Sequence, residues 1–228
     1  MGDTNILRIL CVRHGKTNYT GVYPDLTAEG IKHIQDTTNA SVQKWIVAHR
    51  IGLNKLGVIS SPAPRARGTA GVITSAINPL LPITNCIGID AMKWRDHERC
   101  LAACRGFVGK GYINYETESV FADPELFETP AEIRTRWYTF LAWYIRAAMN
   151  KELPRMVIFV SHYEVLSNIT RDLFEVIPSE ETALKHGETI ALSVYPSSNE
   201  KHVYLSGVFR NQEADVVFDL STHNIDRV

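Results

Sequence analysis

Apolar residues first gather in an unbroken run from Ile6 to Val12, which predicts a buried strand. Farther on, Thr27 stands where a helix N-cap belongs, and Ile31, Ile34, Val42 and Ile46 mark one apolar face running toward His49. Leu56 to Ser60 predicts a second strand. Ser61-Pro62-Ala63-Pro64 then signals a turn, and the small residues from about Arg65 to Ile77 predict the next helix. From Asn78 to Phe127 the periodicity is poor; the pattern allows a short strand near Ile87 followed by an insertion. Thr129-Pro130-Ala131-Glu132 is a capping box with proline at the first helical position, opening a helix to about Asn150. Met156 to Ser161 is continuously apolar, as expected of a central parallel strand covered on both faces. A helix from about Tyr163 to Phe174 and strands near Thr189 to Tyr195 and His202 to Phe209 complete the pattern.

Strands alternating with helices predict an α/β fold: a three-layer sandwich with a largely parallel sheet flanked by helices, and an inserted lid over about residues 95–127. The length of 228 residues suits one domain spanning 1–228. Trp137, Tyr138, Phe140, Trp143 and Tyr144 recur at helical spacing and are expected in the core.

Charge narrows the partners. With 24 Lys plus Arg against 25 Asp plus Glu, nothing in the net balance recruits nucleic acid or an anionic membrane. Any phosphate must be met by local cations. The apolar stretch from Trp137 to Met149 is too short to span a bilayer and contains Arg146. Residues 1–5 lack a basic segment leading into an apolar one, so the expected location is the cytoplasm. Cys11, Cys86, Cys100 and Cys104 are irregularly spaced and are expected as reduced thiols; neither a metal nor a cofactor is called for. The oligomeric state is left open, a homo-oligomer included.

Chemistry enters at the strand exits. In an open α/β sheet ligands bind beyond the carboxyl ends of the strands, so residues following different strands converge there. Here the first strand delivers Arg13 and His14, the loop after the second delivers Arg65, and the Met156 strand delivers His162. An imidazole with one unprotonated nitrogen can attack phosphorus, and a guanidinium fork matches phosphate oxygens.

These segments resemble the histidine phosphatase superfamily, the clan that includes the cofactor-dependent phosphoglycerate mutases. Arg13-His14-Gly15-Lys16-Thr17 resembles its nucleophile motif, and Leu26-Thr27-Ala28-Glu29-Gly30 its Leu-Thr-x-x-Gly segment. Ser60 to Ala70 resembles the second-arginine motif, and Val160-Ser161-His162 the second-histidine motif. The resemblance implies that His14 forms a covalent phosphohistidine while Arg13, Arg65 and a protonated His162 clamp the phosphoryl oxygens. It also implies a hydrogen bond from His14 Nδ1 to a backbone carbonyl, leaving Nε2 free. Thr17, Thr20 and Tyr163 are the expected substrate contacts.

The chain departs from the pattern in three places. Family members usually carry the leaving-group acid as Glu in a Leu-Arg-Glu-like segment; here Trp94-Arg95-Asp96-His97-Glu98 offers Asp96, or Glu98 as the alternative. Thr20 stands where the family often has a phosphate-touching Asn. Tyr163 and Glu164 follow the second histidine where glycine is usual, and both are expected to narrow or bias the crevice. Gly106 to Gly111 lacks the ending of a nucleotide loop and fits a flexible lid, with Lys93, Arg95, Arg105 and Lys110 as candidate contacts to the nonreacting end of a substrate.

The leading expectation is a phosphomonoesterase acting on a phosphorylated small molecule or side chain. A phosphoglycerate mutase is the alternative, disfavoured because the insertion shows no paired basic motif to grip a carboxylate. A catalytically weak phosphate-binding regulatory or scaffold protein is the alternative from another class.

Overall fold

The apolar run at the N-terminus forms strand β1 (Leu7–Arg13), and the sheet is assembled around it. The computed structural model describes residues 5–18, 24–107 and 113–228. Among these, helices α1 (Ala28–His33) and α2 (Asn39–Ala48) are joined by a π-helical turn, Ile34–Thr38. Strand β2 (Leu56–Ser60), helix α3 (Pro64–Ile77) and strand β3 (Ile83–Asn85) follow. Helix α4 (His97–Cys104) precedes the long helix α5 (Pro130–Met149). Strand β4 (Met156–Ser161) leads into helix α6 (Tyr163–Phe174). The C-terminal region contributes β5 (Thr189–Pro196), β6 (His202–Phe209), β7 (Gln212–Asp219) and β8 (Ile225–Arg227).

The sheet order is β3-β2-β4-β1-β5-β6-β7-β8. Alternate residues of the central strands face opposite layers, as the period of two demands. Ile9, Cys11, Val157 and Phe159 pack with Trp137, Leu141 and Tyr144 of α5 and Leu166 of α6. Leu10, Val12, Val58, Ile158 and Val160 pack with Ile34, Val42, Trp45, Ala66 and Ile73 on the other side. This is the expected three-layer sandwich.

Only half of the sheet is parallel. β1, β2, β3 and β4 pair in parallel, whereas β5 to β8 attach to β1 as an antiparallel meander. The physical reason lies in the connections: β6 and β7 are joined through Arg210 and Asn211 alone, both at positive φ (48° and 66°). A two-residue loop of that kind matches strand twist in a hairpin and forbids a crossover. The third strand also falls a little earlier than expected, at Ile83–Asn85; Ile87–Ile89 is a 3-10 turn.

The capping box is present in full, with Glu132 N donating to Thr129 Oγ1 and Thr129 N to Glu132 Oε2. Of the expected aromatic core, Trp137, Tyr138, Phe140 and Tyr144 are buried while Trp143 is exposed. In the described part of the insertion, Cys100, Phe121, Leu126 and Phe127 join the same core as β1 and β4. Lys110 and most of the Gly106–Gly111 stretch lie outside the described residues. Among the described residues, no helix is long and apolar enough to cross a membrane.

Candidate active site

Register sets the site. Arg13 lies level with Ser161, and Ser60 with Val160, so the residues after these strands leave the sheet at one edge. The exits are pinned by backbone bonds: His14 N donates to Ser161 O at 2.9 Å, and Ser61 N to Val160 O at 2.9 Å. His14 and His162 meet there, ring centroids 5.0 Å apart, 2% and 0% exposed.

The loop after β1 fixes the His14 tautomer. His14 Nδ1 donates to Gly15 O at 2.7 Å, and Thr17 Oγ1 donates to the same oxygen at 3.1 Å. Nε2 keeps its lone pair and accepts from Arg65 Nε at 3.3 Å. Burial first, then the charges of Arg65 and Arg13, hold this imidazole well below its ordinary pKa. A neutral ring with one unprotonated nitrogen results. Thr17 is thus occupied with the carbonyl that orients His14, and Thr20 lies outside the described residues.

The Leu-Thr-x-x-Gly segment locks this loop to the helix behind it. Thr27 caps α1, and its N–H donates to Lys16 O at 3.0 Å. A Cβ on Gly30 would stand 2.3 Å from Lys16 O, so only glycine lets the helix approach so closely. Thr69 of α3 braces the same loop, accepting from Gly15 N at 3.0 Å.

Arg13 is held from three sides. It donates to the Leu184 carbonyl and to His186 Nε2, the latter at 3.2 Å, and lies over the Tyr163 ring at 5.2 Å. Tyr163 is buried beneath the guanidinium, a cation–π support. His186 lies 5.5 Å from His14 between ring centroids, and burial followed by Arg13 lowers its pKa to about 3. Glu164, expected to bias the crevice, accepts from Met92 N at 2.9 Å and so ties α6 to the segment after β3.

Among the described residues, no hydrogen bond or ion pair joins either expected acid to this cluster. Asp96 caps α4, accepting from Arg99 N at 3.0 Å, and Glu98 is exposed in the first turn of that helix. Among the described residues, the carboxylate that reaches His162 is Asp90. Its Oδ1 accepts from Ser61 Oγ at 2.6 Å and lies 3.9 Å from His162 Nε2, while Ser61 Oγ is 2.7 Å from that nitrogen. His162 is likewise held well below its ordinary pKa, by burial first and then by Arg65, His14 and Arg13.

Arg136 of α5 positions the segment that carries Asp90. It forms a two-pronged pair with Glu128 at 2.7 and 2.8 Å. It also donates to Ile87 O, Gly88 O, Asp90 O and Ala91 O at 2.9–3.4 Å. Sequence reasoning missed Ser61 as a site residue, Asp90, Arg136 and His186. For Asp90 a faint signal existed, because it directly follows Ile87-Gly88-Ile89 beyond the third strand, as His14 and His162 follow theirs. Arg136 carried none, since its role depends on the crossing of α5 over a distant loop.

An α/β sheet that presents two histidines, two arginines and a carboxylate at one edge defines a phosphate-handling protein of the sandwich class. The chain belongs to the histidine phosphatase superfamily (branch 1), whose family model matches residues 9–206. Membership makes phosphatase or phosphoryl-transfer chemistry the class of activity. Among solved structures, it is similar to a phosphoglycerate mutase from Bacillus anthracis str. Sterne (TM-score 0.60, 16% identity, covering 85% of this chain and 90% of that one). It is equally similar in identity to a mycobacterial glucosyl-3-phosphoglycerate phosphatase (TM-score 0.59, 16%, covering 90% and 98%). A protein described as mycobacterial hydrolase 1 matches at TM-score 0.60 and 16% identity over 91% of this chain and all of that one. No curated protein matches in sequence. At these identities the likeness is one of fold.

Proposed function

We propose that the chain is a phosphomonoesterase that works through a phosphohistidine at His14, with Asp90 as the leaving-group acid. The observation that carries this reading is the His14 environment: Nδ1 tied to Gly15 O at 2.7 Å, Nε2 with its lone pair beside Arg65, and a second histidine 5.0 Å away. In the first step Nε2 bonds to phosphorus as the ester P–O bond breaks, and the departing alkoxide takes the proton of Asp90. In the second, water attacks phosphorus, gives its proton to Asp90, and the N–P bond breaks to regenerate His14 and release phosphate.

Arg13, Arg65 and His162 stabilise the charge spread over the phosphoryl oxygens. Burial holds His162 neutral, so the ester's own negative charge must draw the proton onto it. His186 accepts from Arg13 and keeps that fork aimed, a role for which a neutral ring is suited. The preferred substrate is a phosphorylated small molecule or side chain.

Hydrolysis is favoured over mutase transfer because Arg95, the one arginine in the Trp94–Glu98 segment, is engaged with both oxygens of Glu132 at 2.7 and 2.8 Å. The test is turnover of an aryl and an alkyl phosphate by the parent, His14→Ala and Asp90→Asn. The proposal expects His14→Ala to lose both activities and Asp90→Asn to lose the alkyl ester selectively, since a good leaving group needs no acid. Undiminished turnover by His14→Ala would overturn it. Phosphate binding with neither activity in the parent would favour the scaffold reading, and isomerisation of phosphoglycerate the mutase reading.

A further inference from the structure

We propose that the Ser61 hydroxyl is a proton relay joining Asp90 to His162, so that one proton serves in turn as the charge on the clamp and as the leaving-group acid. The inference rests on the reading of His14 and Asp90 given above and adds to it the path of the proton.

Three groups from three segments line up on one oxygen. Ser61 Oγ lies 2.7 Å from His162 Nε2 and 2.6 Å from Asp90 Oδ1, both within hydrogen-bonding range. Ser61, at the exit of β2, is fully buried, as is His162 at the exit of β4. A hydroxyl has one proton to give and can accept another, so His162 Nε2–H to Ser61 Oγ and Ser61 O–H to Asp90 form one continuous chain. Ser61 Oγ also accepts from Ala63 N at 3.1 Å, which fixes its orientation. His162 Nδ1 is buried and has no hydrogen-bond partner among the described residues, leaving that nitrogen for an oxyanion.

Charge balance supplies the driving force. The groups facing His162 are Arg13 from the end of β1 and His14 just after it, Arg65 from α3 and Arg136 from α5, with Asp90 through Ser61. Arg136 is neutralised by Glu128. A bound ester dianion with the Asp90 carboxylate therefore brings three negative charges against two arginines. One proton taken from solvent closes the deficit.

On His162 that proton makes an imidazolium whose Nδ1–H donates to a phosphoryl oxygen. As the ester bond breaks, Nε2–H passes to Ser61 Oγ while the Ser61 proton passes to Asp90 Oδ1. The histidine is then neutral with Nδ1–H still on the phosphoryl group, and Asp90 is the acid that protonates the alkoxide. Ser61 ends as it began. Atoms and charges balance, and Ser61 acts through its neighbours as a positioning residue.

The test uses Ser61→Ala, checked for native folding, and Asp90→Asn, which keeps an acceptor for Ser61 but takes no proton. Calorimetry of inorganic phosphate binding in two buffers of different ionisation enthalpy counts the protons taken up. The relay predicts uptake near one in the parent at neutral pH and a clear loss in either variant. It also predicts that Ser61→Ala lowers kcat/KM for an alkyl phosphate by about tenfold more than for an aryl phosphate. Unchanged uptake in both variants would overturn the relay, as would equal losses on the two esters in Ser61→Ala, the mark of a merely structural serine. His14→Ala, run alongside, tests the nucleophile separately, because its failure shows in turnover and leaves the proton count to judge Ser61.

Discussion

Replacing Arg136 by Met tests how the acid is held. The guanidinium is largely buried, and its partner Glu128 is 5% exposed. Removing one partner of a buried pair leaves an uncompensated charge, which costs about 3–5 kcal/mol. For a chain of this size each kcal/mol shifts the thermal midpoint by about 2–4 °C, so Arg136→Met should melt about 6–20 °C lower. Four carbonyls of the Ile87–Ala91 segment lose their common donor in the same step. The Asp90 carboxylate should then wander, and alkyl ester turnover should fall more than aryl. Adding Glu128→Gln removes the stranded charge while keeping an acceptor for Lys93 N, and should restore about 1–3 kcal/mol. Thermal and urea unfolding of the parent, both single variants and the double variant measure this coupling. A single variant within about 1 kcal/mol of the parent, or a double variant no more stable than Arg136→Met, would refute the reasoning.

Other outcomes follow from the same geometry. The lowered pKa of His186, about 3 against the ordinary 6.5 of histidine, means that the unfolded chain binds more protons between these values, so stability falls as pH drops through that window. At pH 4.5 the loss from this residue is about 2–3 kcal/mol, and His186→Gln should shrink the difference between urea unfolding at pH 7 and pH 4.5. Equal pH dependence in the variant and the parent would contradict this. Arg65→Lys keeps the charge but loses the Nε–H that meets His14, so kcat/KM should fall about 100-fold or more while unfolding changes by less than about 1 kcal/mol. Gly30→Ala drives a Cβ against backbone, and a cost of about 1–3 kcal/mol should appear in chemical denaturation.

Much of the site was legible because parallel strands place their successors at one edge. The residues after Ile6–Val12, Leu56–Ser60 and Met156–Ser161 could therefore be gathered without coordinates. The Nδ1 bond of His14 was likewise foreseeable, since a nucleophilic imidazole needs a fixed tautomer. Asp90 escaped because the third strand is only three residues long and its 3-10 extension blurs the exit, shifting attention to Asp96. The Asp96 side chain caps the helix that starts at His97, a role that its place in the sequence did not announce.

The antiparallel half of the sheet was hidden for a related reason. Arg210-Asn211 adopts positive φ without the glycine that usually announces such a hairpin. The π turn at Ile34–Thr38 carries no sequence mark either, yet it brings Thr38 Oγ1 to Gly187 O at 2.9 Å, beside the loop that holds Arg13. Tyr163 was read as a bulky residue at the crevice mouth. Its ring instead supports Arg13 from below, an outcome set by packing between α6 and β1 rather than by residue type.

The central claim is that phosphorus is transferred to His14. Rapid mixing with an aryl phosphate, quenching in base and peptide mass spectrometry should find an acid-labile, base-stable phosphoryl group on the peptide containing His14, absent from His14→Ala. Hydrolysis with no such adduct at any quench time, or an adduct on His162 or His186 instead, would contradict the account.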